Sequence, residues 1–339
     1  MEIGGIRLER GEKRAWQMPV GETALKAVSV PCTAIRGVND GPTLVLTAGC
    51  HPMELNGIMT TVRLGGLLDP RQLSGTVVMV HVQNVFGFEL KRGHTSPLDG
   101  INMARAFPVE GRTVEEIGSV SHQAKSLTYM AAETIFNRIV RHADLLVDLH
   151  GGELHESLAA NIEILPTGRD DIDARTRELA RAFGFDILWE VPYGTIPQMP
   201  TYPGRGSVVR EAAELGIPGV FCEVGSEGRL EEPLVELTMN GLLNVMRTYR
   251  MLPGEPIRKE PEVYSGGNVL FASRAGLFLN YSKPADRLTT GQLLGRVINL
   301  QGETVEEFHA PGPGVMTNTI TLGVVNPGDM LYVIGDKPA

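Results

Sequence analysis

The sequence predicts an α/β layer fold with a largely parallel sheet, followed by a smaller all-β region. Apolar, β-branched runs bounded by glycine, proline or asparagine alternate with segments of helical spacing in the chain before Leu252. After Pro256, short apolar runs are separated by Gly, Pro, Asn and Asp, which is typical of small all-β domains. We therefore expect two domains, residues 1–255 and residues 256–339.

Each predicted element follows from its local pattern. A central strand of a parallel sheet is covered on both faces, so it appears as an unbroken apolar run. Such runs occupy residues 43–48, 76–82, 145–149 and 219–224. Helices are expected where apolar residues recur with helical periodicity. These segments are residues 57–68, 122–142, 172–183, 207–215 and 233–251.

The composition is that of a folded protein with a hydrophobic core. The chain has 339 residues, a formal net charge of -9, 42% hydrophobic residues and 21% charged residues. Lys and Arg are not clustered into a phosphate-binding face, so we expect no nucleic-acid partner. The amino terminus lacks the apolar run of a signal peptide, and three scattered cysteines fit a reducing compartment. We expect a cytoplasmic protein with no membrane partner.

Candidate metal ligands follow two of the predicted strands. The first strand runs into Gly49-Cys50-His51-Pro52-Met53-Glu54, which places a histidine and a glutamate three residues apart. The third strand ends in Asp148-Leu149-His150. Strand carboxyl ends form the ligand-binding crevice of such sheets, and imidazole and carboxylate are good zinc donors. Three ligands, His51, Glu54 and His150, would leave a fourth tetrahedral position for water, as in catalytic zinc sites.

Two acidic residues near these ligands are further candidates. Asp148 shares a strand face with His150, so it either orients that histidine or is a buried polar residue paired elsewhere. Glu223 ends the fourth apolar strand, where an unpaired carboxylate is unfavourable. Beside a metal-bound water it is the natural proton acceptor, and we predict that Glu223 is the general base.

A long polar loop, residues 88–108, follows the second strand and is expected to position a substrate. Arg92 and Arg105 lie in it. A guanidinium group matches a carboxylate in geometry and keeps its charge when water is removed, so either arginine could bind a substrate carboxylate. The alternative for each arginine is a surface salt bridge.

Taken in order, these residues resemble the succinylglutamate desuccinylase/aspartoacylase family, relatives of the zinc carboxypeptidases. The family pattern is G-x-H-x-x-E after one strand, a loop of the form N-P-x-G-F…P-x-D-G-x-D-L-N-R-x-F-P, then D-L-H and E-x-G after later strands. This chain has the matching blocks in the same order, at residues 49–54, 84–88, 97–108, 148–150 and 223–225.

The resemblance implies a three-layer, zinc-carboxypeptidase-like domain with a mixed, largely parallel sheet, and a barrel-sandwich-like β domain after it. It also implies that His51, Glu54 and His150 bind one zinc ion per chain, that Glu223 is general base and acid, and that Arg105 holds a substrate carboxylate. The expected reaction is hydrolysis of the amide bond of a small N-acyl amino acid or related amide.

One departure from the family pattern bears on the substrate. Ala104 stands where the family has asparagine before the arginine, so an amide donor is missing, and Asn102 or Asn84 could replace it. Specificity for aspartate or succinylglutamate therefore does not follow. The C-terminal turn at residues 315–319 has no lysine for covalent cofactor attachment. We expect that domain to shape the site or to form a homo-oligomer.

Two other functions stay open at this stage. A carboxypeptidase acting on peptides would need an open cleft, which a compact β domain over the site disfavours. A non-catalytic zinc-binding or ligand-binding protein would need neither a general base nor an open metal position. The presence of Glu223 with all three ligands weighs against that second alternative.

Overall fold

A computed structural model of the protein describes residues 1–108, 126–199, 202 and 204–338. It confirms the predicted fold class, a mixed and largely parallel sheet between helices followed by antiparallel all-β sheets. No helix in these ranges is both long enough and apolar enough to cross a membrane.

The strands are β1 (Glu2–Ile3), β2 (Ile6–Arg7), β3 (Lys13–Glu22), β4 (Ala27–Arg36), β5 (Asn39–Ala48), β6 (Ser74–Val80), β7 (Leu145–His150), β8 (Glu156–Leu158), β9 (Asn161–Ile164), β10 (Ile187–Glu190), β11 (Gly219–Glu223), β12 (Glu262–Ser265), β13 (Asn268–Phe271), β14 (Gly276–Asn280), β15 (Arg287–Leu288), β16 (Leu293–Ile298), β17 (Thr304–His309), β18 (Gly314–Ile320), β19 (Val324–Val325) and β20 (Met330–Asp336). The α-helices are α1 (Leu55–Leu67), α2 (Val85–Glu89), α3 (Leu127–Arg138), α4 (Asp170–Ala182), α5 (Val208–Glu214) and α6 (Glu232–Thr248).

The predicted elements are present with small shifts at their ends. The four predicted central strands are β5, β6, β7 and β11, and the five predicted helices correspond to α1, α3, α4, α5 and α6. Residues 122–125 of the predicted helix 122–142 lie outside the described residues. From Leu127 onward that segment consists of α3 and a 3-10 turn, Val140–His142.

The large sheet has nine strands in the order β12-β10-β9-β11-β7-β5-β6-β4-β3. β5 pairs in parallel with β6 and β7, and β7 pairs in parallel with β11, so these strands end at the same edge. β9 runs antiparallel to β11 and therefore begins at that edge. The edge carries the ends of the strands that precede the candidate ligands.

Side chains along the central strands alternate between two hydrophobic layers. Leu44 and Leu46 pack in the layer of α1, α4 and α6, whereas Val45 packs in the layer of α3 and α5. All three side chains are fully buried. This two-sided burial is the reason that the central run of the strand, residues 44–46, is apolar without polar alternation. The three cysteines are also buried, and their thiols are free.

Helix α1 crosses β7 at very short range. A Cβ atom added at Gly57 would lie 2.8 Å from the Cβ atom of Leu149. Only glycine allows this approach without a shift of one backbone. The contact holds the first turn of α1, which follows Glu54 directly, against the carboxyl end of β7.

The C-terminal region contains two antiparallel sheets that enclose a third hydrophobic cluster. The two regions are joined by strand pairing, because each region contributes one strand to a sheet of the other. β12, which follows the predicted boundary at residues 255/256, pairs in parallel with β10 of the nine-stranded sheet. β8, which precedes that boundary, pairs antiparallel with β18. The second pairing brings β18 to the edge where the candidate ligands lie.

Gly57→Ala is expected to lower the free energy of unfolding by about 1–3 kcal/mol, as is typical of an overpacked core. The matched control is Gly66→Ala in the same helix, where no atom lies within 4 Å of the added Cβ. Helix propensity should make this control more stable by up to ~1 kcal/mol. Urea unfolding followed by circular dichroism measures both changes. Equal effects of the two substitutions would contradict the close crossing.

Candidate active site

Three side chains that could hold a metal ion meet at the carboxyl edge of the sheet. His51 and Glu54 lie between β5 and α1, and His150 is the last residue of β7. The potential ligand atoms of the three residues all lie within 4.8 Å of one another. Glu54 and His150 are buried and His51 is partly buried. The structure thus brings together the three residues that the sequence nominated as ligands.

The turn after β5 depends on a glycine. Gly49 has a φ of +64°, in the left-handed region that glycine adopts without a side-chain clash. A Cβ atom at this position would also lie 3.1 Å from both Ile58 Cδ1 and Val82 Cα. The strand can therefore turn sharply here, and the chain places His51 above the end of β5.

The hydrogen bonds around the cluster orient both imidazole rings in the same way. His51 Nδ1 lies 2.8 Å from Glu54 Oε1, and His150 Nδ1 lies 3.0 Å from Glu54 Oε2. The opposite nitrogens face acceptors: His51 Nε2 is 3.2 Å from Asn102 Oδ1, and His150 Nε2 is 2.9 Å from Asp148 Oδ2. When both rings are charged, each Nδ1–H faces a carboxylate oxygen of Glu54. A metal ion would take the place of these two protons, with each Nε2–H still directed at its acceptor.

Asp148 combines the two roles that the sequence left open. It accepts the hydrogen bond that orients His150, and it is also paired elsewhere in the core. Its Oδ1 atom accepts hydrogen bonds from Thr47 Oγ1 at 2.6 Å and from Gln83 Nε2 at 3.3 Å. A histidine orientation supported in this way is typical of metal sites.

The chemistry of the donor set fits a zinc ion. Glu54 Oε2 is buried and accepts no hydrogen bond from any described residue, although His150 Nδ1 is close. Burial disfavours the charged form of Glu54, but the imidazoles of His51 and His150 outweigh this effect and lower its pKa. A charged carboxylate with a spare oxygen beside two imidazole nitrogens is a common zinc donor set.

Glu223 is the last residue of β11, and its Cα is paired across the sheet with that of His150. It lines the same cavity as the three possible ligands. Burial raises the pKa of Glu223 well above its ordinary value; the charge of His150 opposes this shift, and nearby carboxylates reinforce it. A raised pKa makes a carboxylate a better proton acceptor.

The cavity beside these residues has a volume of about 310 Å³. One wall comes from the loop that carries Arg105 and from Tyr202 and Glu163. The opposite wall comes from the C-terminal region, through Thr317 of β18 and Met330 of β20. The C-terminal region therefore lines the site, in agreement with one of the two roles that the sequence led us to expect for it.

The three predicted substrate-binding residues lie in different surroundings. Arg105 lines the cavity, its guanidinium carbon 5.6 Å from the ring centroid of Tyr202, and it forms no salt bridge within the described ranges. Asn102 also lines the cavity, but its Oδ1 faces His51 and accepts a hydrogen bond from Ala104 N at 2.9 Å. Arg92 instead lines an outer cavity of about 520 Å³.

Sequence reasoning assigned no role to His94, Glu163 and Tyr202, all of which line the cavity. The His94 ring centroid lies 4.5 Å from that of His51, and burial lowers the pKa of His94 to about 4. The only signal for Glu163 was a charge between two isoleucines in a four-residue strand. Tyr202 lies between strands in a segment with no recognisable pattern.

A model of the succinylglutamate desuccinylase/aspartoacylase catalytic domain matches residues 40–249 of this chain. The class that fold and site define is a mixed α/β protein with possible metal ligands at the carboxyl edge of its sheet. The chain belongs to the succinylglutamate desuccinylase/aspartoacylase family, which confirms the resemblance inferred from the motifs.

Individual relatives are similar over nearly the whole chain. The N-alpha-acetyl-L-2,4-diaminobutyric acid deacetylase of Halomonas elongata is 27% identical over 330 residues, which cover 93% of this chain and 88% of that protein. The product-bound ectoine utilization protein EutE (DoeB) from Ruegeria pomeroyi has a TM-score of 0.83 at 23% identity, covering 98% of this chain and 97% of that chain. A succinylglutamate desuccinylase/aspartoacylase from Rhodobacter sphaeroides has a TM-score of 0.82 at 21% identity, covering 98% of each chain. The two structural likenesses confirm the fold.

Asp148→Asn is expected to weaken zinc binding by about 10–100-fold, because an amide oxygen supports the Nε2 proton of His150 less well than a carboxylate. Asp144→Asn is the matched control: Asp144 directly precedes β7 and accepts a hydrogen bond from Thr43 N at 2.7 Å. It should leave zinc affinity unchanged. Competition with a chromophoric chelator measures both affinities. Equal affinity in wild type and Asp148→Asn would show that His150 ligates without this support.

Proposed function

We propose that the protein is a zinc-dependent amidohydrolase that removes the acyl group from a small N-acyl amino acid. The observation that carries the proposal is the presence of three possible zinc ligands and Glu223 in one cavity. Membership of a deacylase family supports it, as does the deacetylase activity named for the Halomonas elongata relative. The bond cleaved would be a carbon–nitrogen bond other than a peptide bond.

The donor set suits one zinc ion per chain. His51 and His150 would bind it through Nδ1, and Glu54 through its carboxylate. When bound, zinc supplies a Lewis acid for the amide carbonyl and lowers the pKa of water at the open fourth position. Asn102 and Asp148 would keep the two imidazoles in the required tautomer and orientation.

Glu223 would move the proton that the hydrolysis requires. Its carboxylate accepts a proton from the attacking water while the water oxygen bonds to the carbonyl carbon. The same carboxyl group then returns the proton to the amide nitrogen as the carbon–nitrogen bond breaks. The products are a free acid and an amino acid with a free amino group. Its position opposite His150 in the sheet puts Glu223 beside the ligands.

The cavity favours a small substrate. Its volume of about 310 Å³ lies at the lower end of the range typical of small-molecule sites. Strands β18 and β20 line part of this cavity and limit the room for a longer peptide. Arg105, which has no carboxylate partner among the described residues, is positioned to bind the carboxylate of the amino acid.

The metal and the general base are tested together by zinc content and amine release. Wild type should contain about one zinc ion per chain and release primary amine from N-acyl amino acids. His150→Ala should lose both zinc and turnover because one ligand is gone. Glu223→Gln should keep zinc but lose about 10²–10⁴-fold in turnover. Glu236→Gln, on the exposed face of α6, is the matched control and should resemble wild type.

Three outcomes would contradict parts of the proposal. Zinc retained by His150→Ala would remove that residue from the ligand set. Full turnover by Glu223→Gln would remove the glutamate from the proton path. Zinc in the wild type without turnover of any N-acyl amino acid would favour the binding-protein alternative.

Arg105→Gln is expected to lower kcat/KM for an N-acetyl amino acid by about 10- to 100-fold, as for loss of a hydrogen bond to a charged group. The defect should disappear when the carboxylate of the substrate is replaced by a carboxamide, because Arg105 then has no charged partner. Steady-state kinetics on the two substrates measure this ratio. A larger, carboxylate-dependent defect in Arg92→Gln would instead place the carboxylate in the outer cavity.

A further inference from the structure

Besides Glu54 and Glu223, the carboxylates of Glu156 and Glu163 line the active-site cavity, and Glu163 is the more deeply buried of these two. Glu163 of β9 is paired with Phe221 of β11, and Phe221 is paired with Asp148 of β7. Residues opposite each other across a sheet share a face, so Glu163 points to the same face as Asp148. One row closer to the edge, Glu223 pairs with His150 on one side and with Asn161 on the other. Glu163 is therefore one row deeper than the proposed general base.

This carboxylate has no cationic partner in the described part of the chain. Glu163 is 3% exposed, and its one side-chain hydrogen bond comes from the Tyr202 hydroxyl, which donates to Oε1 at 2.8 Å. Burial raises the pKa of Glu163 to about 7, against the smaller effects of Tyr202 and Arg105. A buried carboxyl group without a cation is unfavourable unless a ligand supplies the missing charge.

The ring of Tyr202 connects Glu163 to the predicted carboxylate-binding arginine. The guanidinium carbon of Arg105 lies 5.6 Å from the ring centroid, and the hydroxyl of the same ring is bonded to Glu163. The cavity wall thus presents a positive group over the face of one aromatic ring and a negative group at the hydroxyl of the same ring. Such a pair complements a molecule that carries a carboxylate and an ammonium a few bonds apart.

The distance between Glu163 and the cluster of possible metal ligands suits a substrate whose amino-acid side chain reaches from one to the other. β9 is separated from β7 by the single strand β11. Neighbouring strands lie about 4.8 Å apart, so Glu163 is roughly 10 Å across the sheet from the strand of His150. Apolar side chains of Ile196 and Met199 line the same cavity and could contact the methylene groups between the two ends of a substrate.

We propose that Glu163 binds an ammonium group on the side chain of the substrate, so that the amino acid released is a diamino acid. This inference rests on the proposed deacylase function. Tyr202 holds Oε1, which leaves Oε2 to accept hydrogen bonds from the ammonium. The same carboxylate repels a substrate with an acidic side chain. A substrate with an apolar side chain is also disfavoured, because the charge of Glu163 then has no partner.

The test compares two substrates of the same shape. N-α-acetyl-2,4-diaminobutyrate and N-acetylnorvaline differ only in a terminal ammonium in place of a methyl group. Wild type should prefer the ammonium substrate by about 100-fold or more in kcat/KM, because a site built for a charged hydrogen bond rejects the analogue that lacks it. Glu163→Gln should lose this preference mainly through KM and should gain activity on the norvaline substrate. Tyr202→Phe should lie between the two.

Calorimetry of the free amino acids gives a readout that does not depend on turnover. Zinc-loaded wild type should bind 2,4-diaminobutyrate at least about tenfold more tightly than norvaline, and Glu163→Gln should not. Thermal unfolding of each variant shows whether it is folded. Equal turnover of both substrates by wild type, or an unchanged preference in folded Glu163→Gln, would overturn the inference and leave the proposed function intact. Glu163-dependent binding of 2,4-diaminobutyrate without hydrolysis of either substrate would support the ammonium site and overturn the proposed function.

Discussion

The buried carboxylate of Glu54 is the group around which the site is organised. A charge at this depth is stable only with positive or hydrogen-bonding partners, and the two imidazoles of His51 and His150 provide them. Each imidazole is in turn held from its far side, by Asn102 and by Asp148. One charge therefore fixes the relative positions of two strand ends, the first turn of a helix and the long loop. A metal ion bound there would find its donors already in place.

The elements that could be predicted from the sequence are those that depend on the residue pattern of a single stretch of the chain. The buried runs within β5 and β7 are mainly apolar because both faces of the sheet are covered, so the polar residues at their carboxyl ends stood out as candidate ligands. Glu54 and His51 were close in sequence, and the common edge of parallel strands explains why His150 joins them. These inferences needed only the layer architecture and the strand order of a parallel sheet.

Other features depend on partners that no local pattern identifies. The direction of β9 is set by its pairing with β11 and β10, and four residues are too few to reveal that Glu163 faces the cavity. Tyr202 reaches the site from a segment between strands. Residue type alone did not distinguish Arg92 from Arg105, and the family pattern singled out Arg105. The packing of the loop places Arg105 in the cavity of the possible metal ligands and Arg92 in the outer cavity.

The reciprocal strand pairing between the two regions limits how the protein could be divided. A chain ending near residue 255 would lack β12, so β10 would become an unprotected edge strand with free backbone donors and acceptors. The same cut would leave β8 without β18 and would open the cavity on one side. The nine-stranded sheet is thus no independent module to which any C-terminal region could be attached. The protection of its edge and the closure of its cavity depend on both parts of the chain, so recombination between relatives would have to exchange both.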